Sequence, residues 1–107
     1  MQFDWKRFMN RNYPIAVHCR TEKEAEDFCR EMHEHGLTWC NKGSYLKCNE
    51  YNTYKEETCY TNEGMFADRN FYIRNGYEIL EWSDYIDSIY IMTYNPDSST
   101  WYNAMVY

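Results

Sequence analysis

Three histidines, His18, His33 and His35, and five cysteines, Cys19, Cys29, Cys40, Cys48 and Cys59, are the side chains of this sequence best suited to act as bases, nucleophiles or soft-metal ligands. A nucleophilic thiol needs a base within hydrogen-bond reach. His18 and Cys19 are adjacent, but neighbours on a strand point to opposite faces, so the two do not by themselves form such a pair. A zinc site is commonly seeded by Cys-x-x-Cys or by two histidines a helical turn apart, and neither spacing occurs. His33 and His35 would diverge by about 200° around a helix. The acids Glu78, Glu81, Asp84 and Asp87 have the content of a magnesium site without the lysine that metal-dependent nucleases commonly place beside it, and read as solvent-facing carboxylates. No phosphate-cradling glycine loop, Gly-x-Ser-x-Gly elbow or His-Glu-x-x-His helix is present. The expectation is a chain without catalytic residues, metal or cofactor.

The elements that would carry these side chains follow from spacing. Asp4 can cap a short helix holding Trp5, Phe8 and Met9 on one side. Tyr13-Pro14 ends it, and Ile15 to Cys19 alternates as a strand with Ile15, Val17 and Cys19 on one face. Thr21-Glu22-Lys23-Glu24 forms a capping box, so a helix starts there. Ala25, Phe28, Cys29 and Met32 make its apolar stripe, and Gly36 ends it with Leu37 closing onto Met32. Its opposite, acidic face holds Glu22, Lys23, Glu26, Asp27, Arg30, Glu31 and Glu34.

Beyond this helix, Leu37–Cys40 and Tyr45–Cys48 flank Asn41-Lys42-Gly43-Ser44 in the pattern of a hairpin. Residues 49–56 read as a loop and 57–61 as a strand. Asp68 caps a short helix through Phe71, Tyr72 and Ile73 that stops at Asn75-Gly76, and Tyr77–Trp82 is a strand. Residues 89–94 and 100–107 form a hairpin pattern without lysine or arginine, so this 87–107 extension is either covered by the fold or pairs with a copy or a partner. The sum is a single α+β domain over 1–107: a mostly antiparallel sheet of short strands packed by one main helix, about 21–35, with one or two short helices.

Composition narrows the function. Aromatic residues make up 20% of the chain, with 12 tyrosines, too many to bury with every hydroxyl satisfied, so some should be available for contacts. The net charge of −6 opposes non-specific nucleic-acid binding, which rests on cations neutralising phosphate. An odd number of irregularly spaced cysteines, without a basic-then-apolar leader, implies reduced thiols in a cytosol, most of them acting as small buried hydrophobes. No apolar run is long enough for a membrane helix.

Ile15-Ala16-Val17-His18-Cys19-Arg20-Thr21-Glu22, Glu24-Ala25, Phe28, Gly36, Trp39, Thr58-Cys59-Tyr60 and Gly76 to Tyr85 together resemble a widespread group of small accessory proteins of bacterial phages and prophages. The resemblance covers about residues 4–86. It implies the cytosol of a host bacterium and a role in antagonising bacterial immunity, and brings no catalytic or binding residues with it. Two binding modes fit. Glu26, Asp27, Glu31, Glu34, Tyr51, Tyr54, Glu56, Glu57 and Tyr60 could occupy a basic surface of a host defence protein such as a CRISPR effector. Alternatively Lys47, Lys55, Arg69 and Arg74 could hold a nucleotide immune signal in an aromatic-lined pocket of a monomer or homodimer. A phage structural or assembly role through the 87–107 hairpin is a further alternative.

Overall fold

A computed structural model describes residues 2–86 in full and the backbone of 94–95 and 100–101. Helix α1, Trp5–Met9, opens where Asp4 accepts the Arg7 amide at 3.0 Å. Strand β1, Ile15–His18, leads into α2, Glu22–Glu34. Thr21 Oγ1 accepts the Glu24 amide at 3.1 Å, and the Glu24 carboxylate returns to the amide of Arg20 at 3.0 Å, one residue ahead of the cap. At the far end Gly36 adopts φ +81°, which lets the Leu37 and Gly36 amides reach the Met32 and His33 carbonyls at 3.0 and 2.9 Å.

Helix α3 spans Tyr51–Tyr54, a 3-10 turn follows over Lys55–Glu57, and β2 runs Thr58–Tyr60. Strand β3, Phe66–Asp68, passes into α4, Arg69–Arg74, capped as expected by Asp68, which accepts the Phe71 amide at 3.1 Å. Strand β4, Glu78–Glu81, and a 3-10 turn over Trp82–Asp84 complete this part. The sheet order is β3-β2-β1-β4, with β1 parallel to β4 and the other pairs antiparallel.

Central strand β1 is buried on both faces. Ile15, Val17 and Cys19 join Phe8 of α1 and Ala25, Phe28, Cys29 and Met32 of α2, whereas Ala16 and Cys59 meet Tyr72 of α4 on the other side. Aromatics do the work that aliphatics usually do. Phe28 packs edge-on to Trp82 at 4.8 Å and Phe3 to Trp5 at the same centroid distance.

Two expectations about local structure are corrected. Residues 37–48 form no strand ladder: a hairpin turning at residues 41–44 would pair Cys40 with Tyr45 and send Trp39 and Tyr45 to opposite faces, whereas both are buried with their rings 4.4 Å apart. The Trp39 carbonyl instead receives the Lys42 amide at 2.8 Å, and its amide reaches Gly43 O at 2.9 Å, in a tight turn with Lys42 at φ +74°. The expected loop over 49–56 is mostly α3 and its 3-10 turn, started by Asn49 Oδ1 accepting the Tyr51 amide at 3.0 Å.

In the C-terminal extension, β5, Tyr94–Asn95, pairs antiparallel with β6, Thr100–Trp101. The remaining expectations for 87–107, coverage or self-pairing included, lie outside the described residues.

Candidate functional site

The acidic flank of α2, helix α3 and the turn-rich segment 40–50 meet at a groove of about 520 Å³, lined among others by Glu26, Arg30, Leu46, Lys47, Glu50 and Tyr51. Tyr51 anchors it, its hydroxyl donating to the Arg20 carbonyl at 2.8 Å. Burial first, then the nearby carboxylates of Glu56, Glu22 and Glu24, push the Tyr51 phenol above its ordinary range. Those carboxylates therefore act on one ring from α2 and from the 3-10 turn. Leu46 stands 59% exposed at the groove's edge. An exposed apolar side chain set among acids, Glu26 and Glu50, and cations, Arg30 and Lys47, is the composition of a protein-binding surface with charged specificity.

A second groove, of about 350 Å³, lies across the same segment and is more aromatic, with Trp39, Cys40, Cys48, Met65 and Phe66 in its walls. Met65 is half exposed, and Tyr54 sets its ring 5.8 Å from that of Phe66.

The α4 face of the sheet carries a third cleft, of about 450 Å³, at the carboxyl ends of the parallel strands β1 and β4. His18 and Glu81 are register partners there, and Nδ1 lies 2.8 Å from Glu81 Oε1 while Nε2 lies 2.7 Å from the Glu56 carbonyl. Both ring nitrogens are engaged. His18 thus ties β1 to β4 and to the turn preceding β2, and neither ring nitrogen is left without a partner. Cys19 faces the opposite core, as alternation requires. Arg20 and Arg69 both line this cleft; Arg69 Nε is 3.8 Å from Glu81 Oε2 and Arg20 Nη2 is 3.5 Å from Ser83 Oγ.

All five cysteines are free. Cys19, Cys29 and Cys59 are buried, and desolvation raises their thiols, Cys29 and Cys59 to about 12. Three of the five thiols are thus interior, as expected for most of them, whereas Cys40 and Cys48 are exposed. Among the described residues no cluster of three histidine, cysteine or acidic side chains is placed to hold a metal ion.

The sequence-named contact residues divide sharply. Glu26 and Tyr51 line the first groove, Glu56 acts on Tyr51, Tyr54 is exposed, and Glu57 lies in the His18 cleft. Glu31 and Glu34 approach Arg30 at 3.8 and 3.9 Å. Asp27 and Tyr60 cannot serve as surface contacts. Asp27 is 7% exposed because α2 turns it toward the sheet side, where its carboxylate accepts from Trp82 Nε1 at 2.7 Å and from Arg30. Tyr60 is fully buried on β2 beneath Phe28, its hydroxyl donating to the Asn49 carbonyl at 2.6 Å.

The four cations named for a nucleotide do not share a cavity. Lys47 lines the two grooves beside segment 40–50 and Arg69 the His18 cleft, while Lys55 and Arg74 are exposed and line none of these three. Leu46, Glu50 and Arg20 escaped sequence reasoning. Leu46 falls in an expected strand, and Arg20 becomes a wall residue only through the parallel β1–β4 register, which spacing along the chain does not reveal.

Fold and grooves together define a small mixed-sheet α+β protein with a charge-dense, cleft-bearing surface. No protein-family model, curated protein or solved structure matches this chain. No helix among the described residues is long and apolar enough to cross a membrane.

Proposed function

We propose that this chain is a non-catalytic binding protein of the phage accessory kind, which antagonises a bacterial immune system by occupying a basic surface of a host defence protein. The observation that carries this reading is the groove in which Glu26 and Glu50 stand beside Tyr51 and exposed Leu46, with the exposed acids Glu22 and Glu56 near enough to act on the Tyr51 phenol. Carboxylates beside an aromatic and an aliphatic anchor present to a basic channel the negative charge that nucleic-acid phosphates would. They offer steering from a distance and apolar contact on arrival. The nucleic-acid channel of a CRISPR effector has the complementary charge.

The test is phage plating on bacteria carrying a defence system, with and without the protein. Restored plaques support antagonism. Unchanged plating across CRISPR and nucleotide-signalling systems contradicts it.

A nucleotide sponge is the second reading: Arg20 and Arg69 share the cleft at the strand ends, where guanidiniums suit phosphate oxygens, although Glu57, Glu81 and Asp84 line the same cleft and oppose an anion. A mass spectrum of molecules released by heating the purified protein separates the two. A nucleotide in that spectrum supports the sponge.

A further inference from the structure

The five thiols fall into two physical classes, and the exposed pair shares one groove. Cys40 and Cys48 both line the cavity of about 350 Å³ that Trp39, Lys47, Met65 and Phe66 help to form. The chain between them is held by isolated turn bonds, Trp39 N to Gly43 O at 2.9 Å and Lys47 N to Ser44 O at 3.2 Å, and by no strand ladder. Its ends are already gathered. Trp39, next to Cys40, donates its indole N–H to the Cys48 carbonyl at 2.8 Å, and the Cys40 amide is fixed on Gly64 O at 3.1 Å.

We propose that Cys40 and Cys48 form an oxidisable dithiol site, whose two sulfurs are joined by a peroxide or by a low-molecular-weight disulfide. With a peroxide, one thiolate attacks a peroxide oxygen, breaking the O–O bond and leaving a sulfenic acid and one water. The second thiolate then displaces the sulfenic oxygen as a second water while the S–S bond forms. Two thiols lose two protons and two electrons, and one hydrogen peroxide becomes two waters. With glutathione disulfide, the first attack gives a mixed disulfide and one glutathione, and the second releases the other.

Two features make this pair rather than another. The buried thiols are shut away from a dissolved oxidant and held protonated by desolvation, so neither the attacking thiolate nor access is available to them. The connecting segment is short, so the second step is intramolecular at high effective concentration, and closing the bond requires the two Cα atoms to come within roughly 4.4–6.8 Å. The ring so closed contains Leu46 and Lys47, which line the groove assigned to partner binding. Oxidation would fix the conformation of that segment.

The test uses the full chain alone, so its outcome is independent of the partner-binding reading. The protein is treated with hydrogen peroxide or oxidised glutathione, then denatured, alkylated and peptide-mapped. The expected product is a Cys40–Cys48 cross-linked peptide, reversible by dithiothreitol, with native-state labelling falling from two reactive thiols to none. Cys40→Ser and Cys48→Ser, substitutions at exposed positions, should keep the parent circular dichroism, lose the cross-link and retain one glutathione as a stable mixed disulfide. Phenylarsine oxide, which bridges neighbouring thiols, should bind once per parent chain and far more weakly to either variant. Separate adducts on Cys40 and Cys48 in the parent, bonds between chains, or a cross-link to Cys29 would overturn the proposal.

Discussion

Trp82 Nε1 donates to Asp27 Oδ2 at 2.7 Å, a bond between residues 55 apart in sequence that fastens the 3-10 turn after β4 to the middle of α2. The same carboxylate binds Arg30, which also approaches Glu31 and Glu34. An acid that a helical wheel assigns to solvent is thereby a structural member of the core rim.

Asp27→Ala leaves a buried indole N–H without its acceptor, and should cost about 1–3 kcal/mol in urea unfolding. Asp27→Asn keeps an acceptor and should cost less. Glu26→Ala, one residue away and exposed, should stay within about 0.5 kcal/mol of the parent. Equal losses at Asp27 and Glu26 would contradict the role given to the Trp82 bond.

Gly64 separates backbone geometry from backbone contact. It sits at φ +74°, and a Cβ there would meet Cys40 N at 2.4 Å and Thr38 O at 2.8 Å, whereas at Gly36, φ +81°, a Cβ would meet nothing within 4 Å. Gly36→Ala should therefore cost the left-handed conformation alone, about 1–2 kcal/mol. Gly64→Ala adds a clash with main chain that cannot swing aside, and its thermal midpoint should drop clearly further.

Alkaline pH should weaken the fold. Burial holds Cys29 and Cys59 protonated up to about 12, against an ordinary value of 9.0, and it also raises Cys19, Tyr45, Tyr60 and Tyr72. Above pH 9 the unfolded chain releases thiol protons that the folded chain keeps, so it binds fewer protons and unfolding becomes easier as pH rises. The contribution is complete below 9 and disappears on approach to 12. Unfolding free energy measured across that window should fall, and fall less steeply for Cys29→Ala. Parallel slopes would show that this thiol is not desolvated as described.

Local signals carried much of this fold into the sequence. The Thr21 and Asp68 caps, the Gly36 closure and the alternation of Ile15, Val17 and Cys19 depend on neighbours a few residues away, and each element stands where its residues place it. What failed depended on distant partners. The hairpin pattern of 37–48 yields to burial of Trp39 against Phe66 and Tyr45, and Asp27 is drawn inward by Trp82. The site was legible in the same proportion. Glu26, Tyr51 and Glu56 were recognisable as charge and phenol, but Leu46, Glu50 and the pairing of His18 with Glu81 arise from chain crossings that no short spacing encodes.

The account stands on the acidic side chains of the Tyr51 groove, Glu26 and Glu50, and on the exposed Glu22 and Glu56 whose charge reaches it. The most direct measurement is the affinity of the protein for a defence component that co-purifies with it, taken across ionic strength for the parent chain and for a Glu22→Lys, Glu26→Lys, Glu56→Lys variant whose fold is verified by circular dichroism. Association that weakens steeply with salt in the parent, and is lost by at least about tenfold in the variant, is the predicted result. Affinity indifferent to both salt and charge reversal would contradict it.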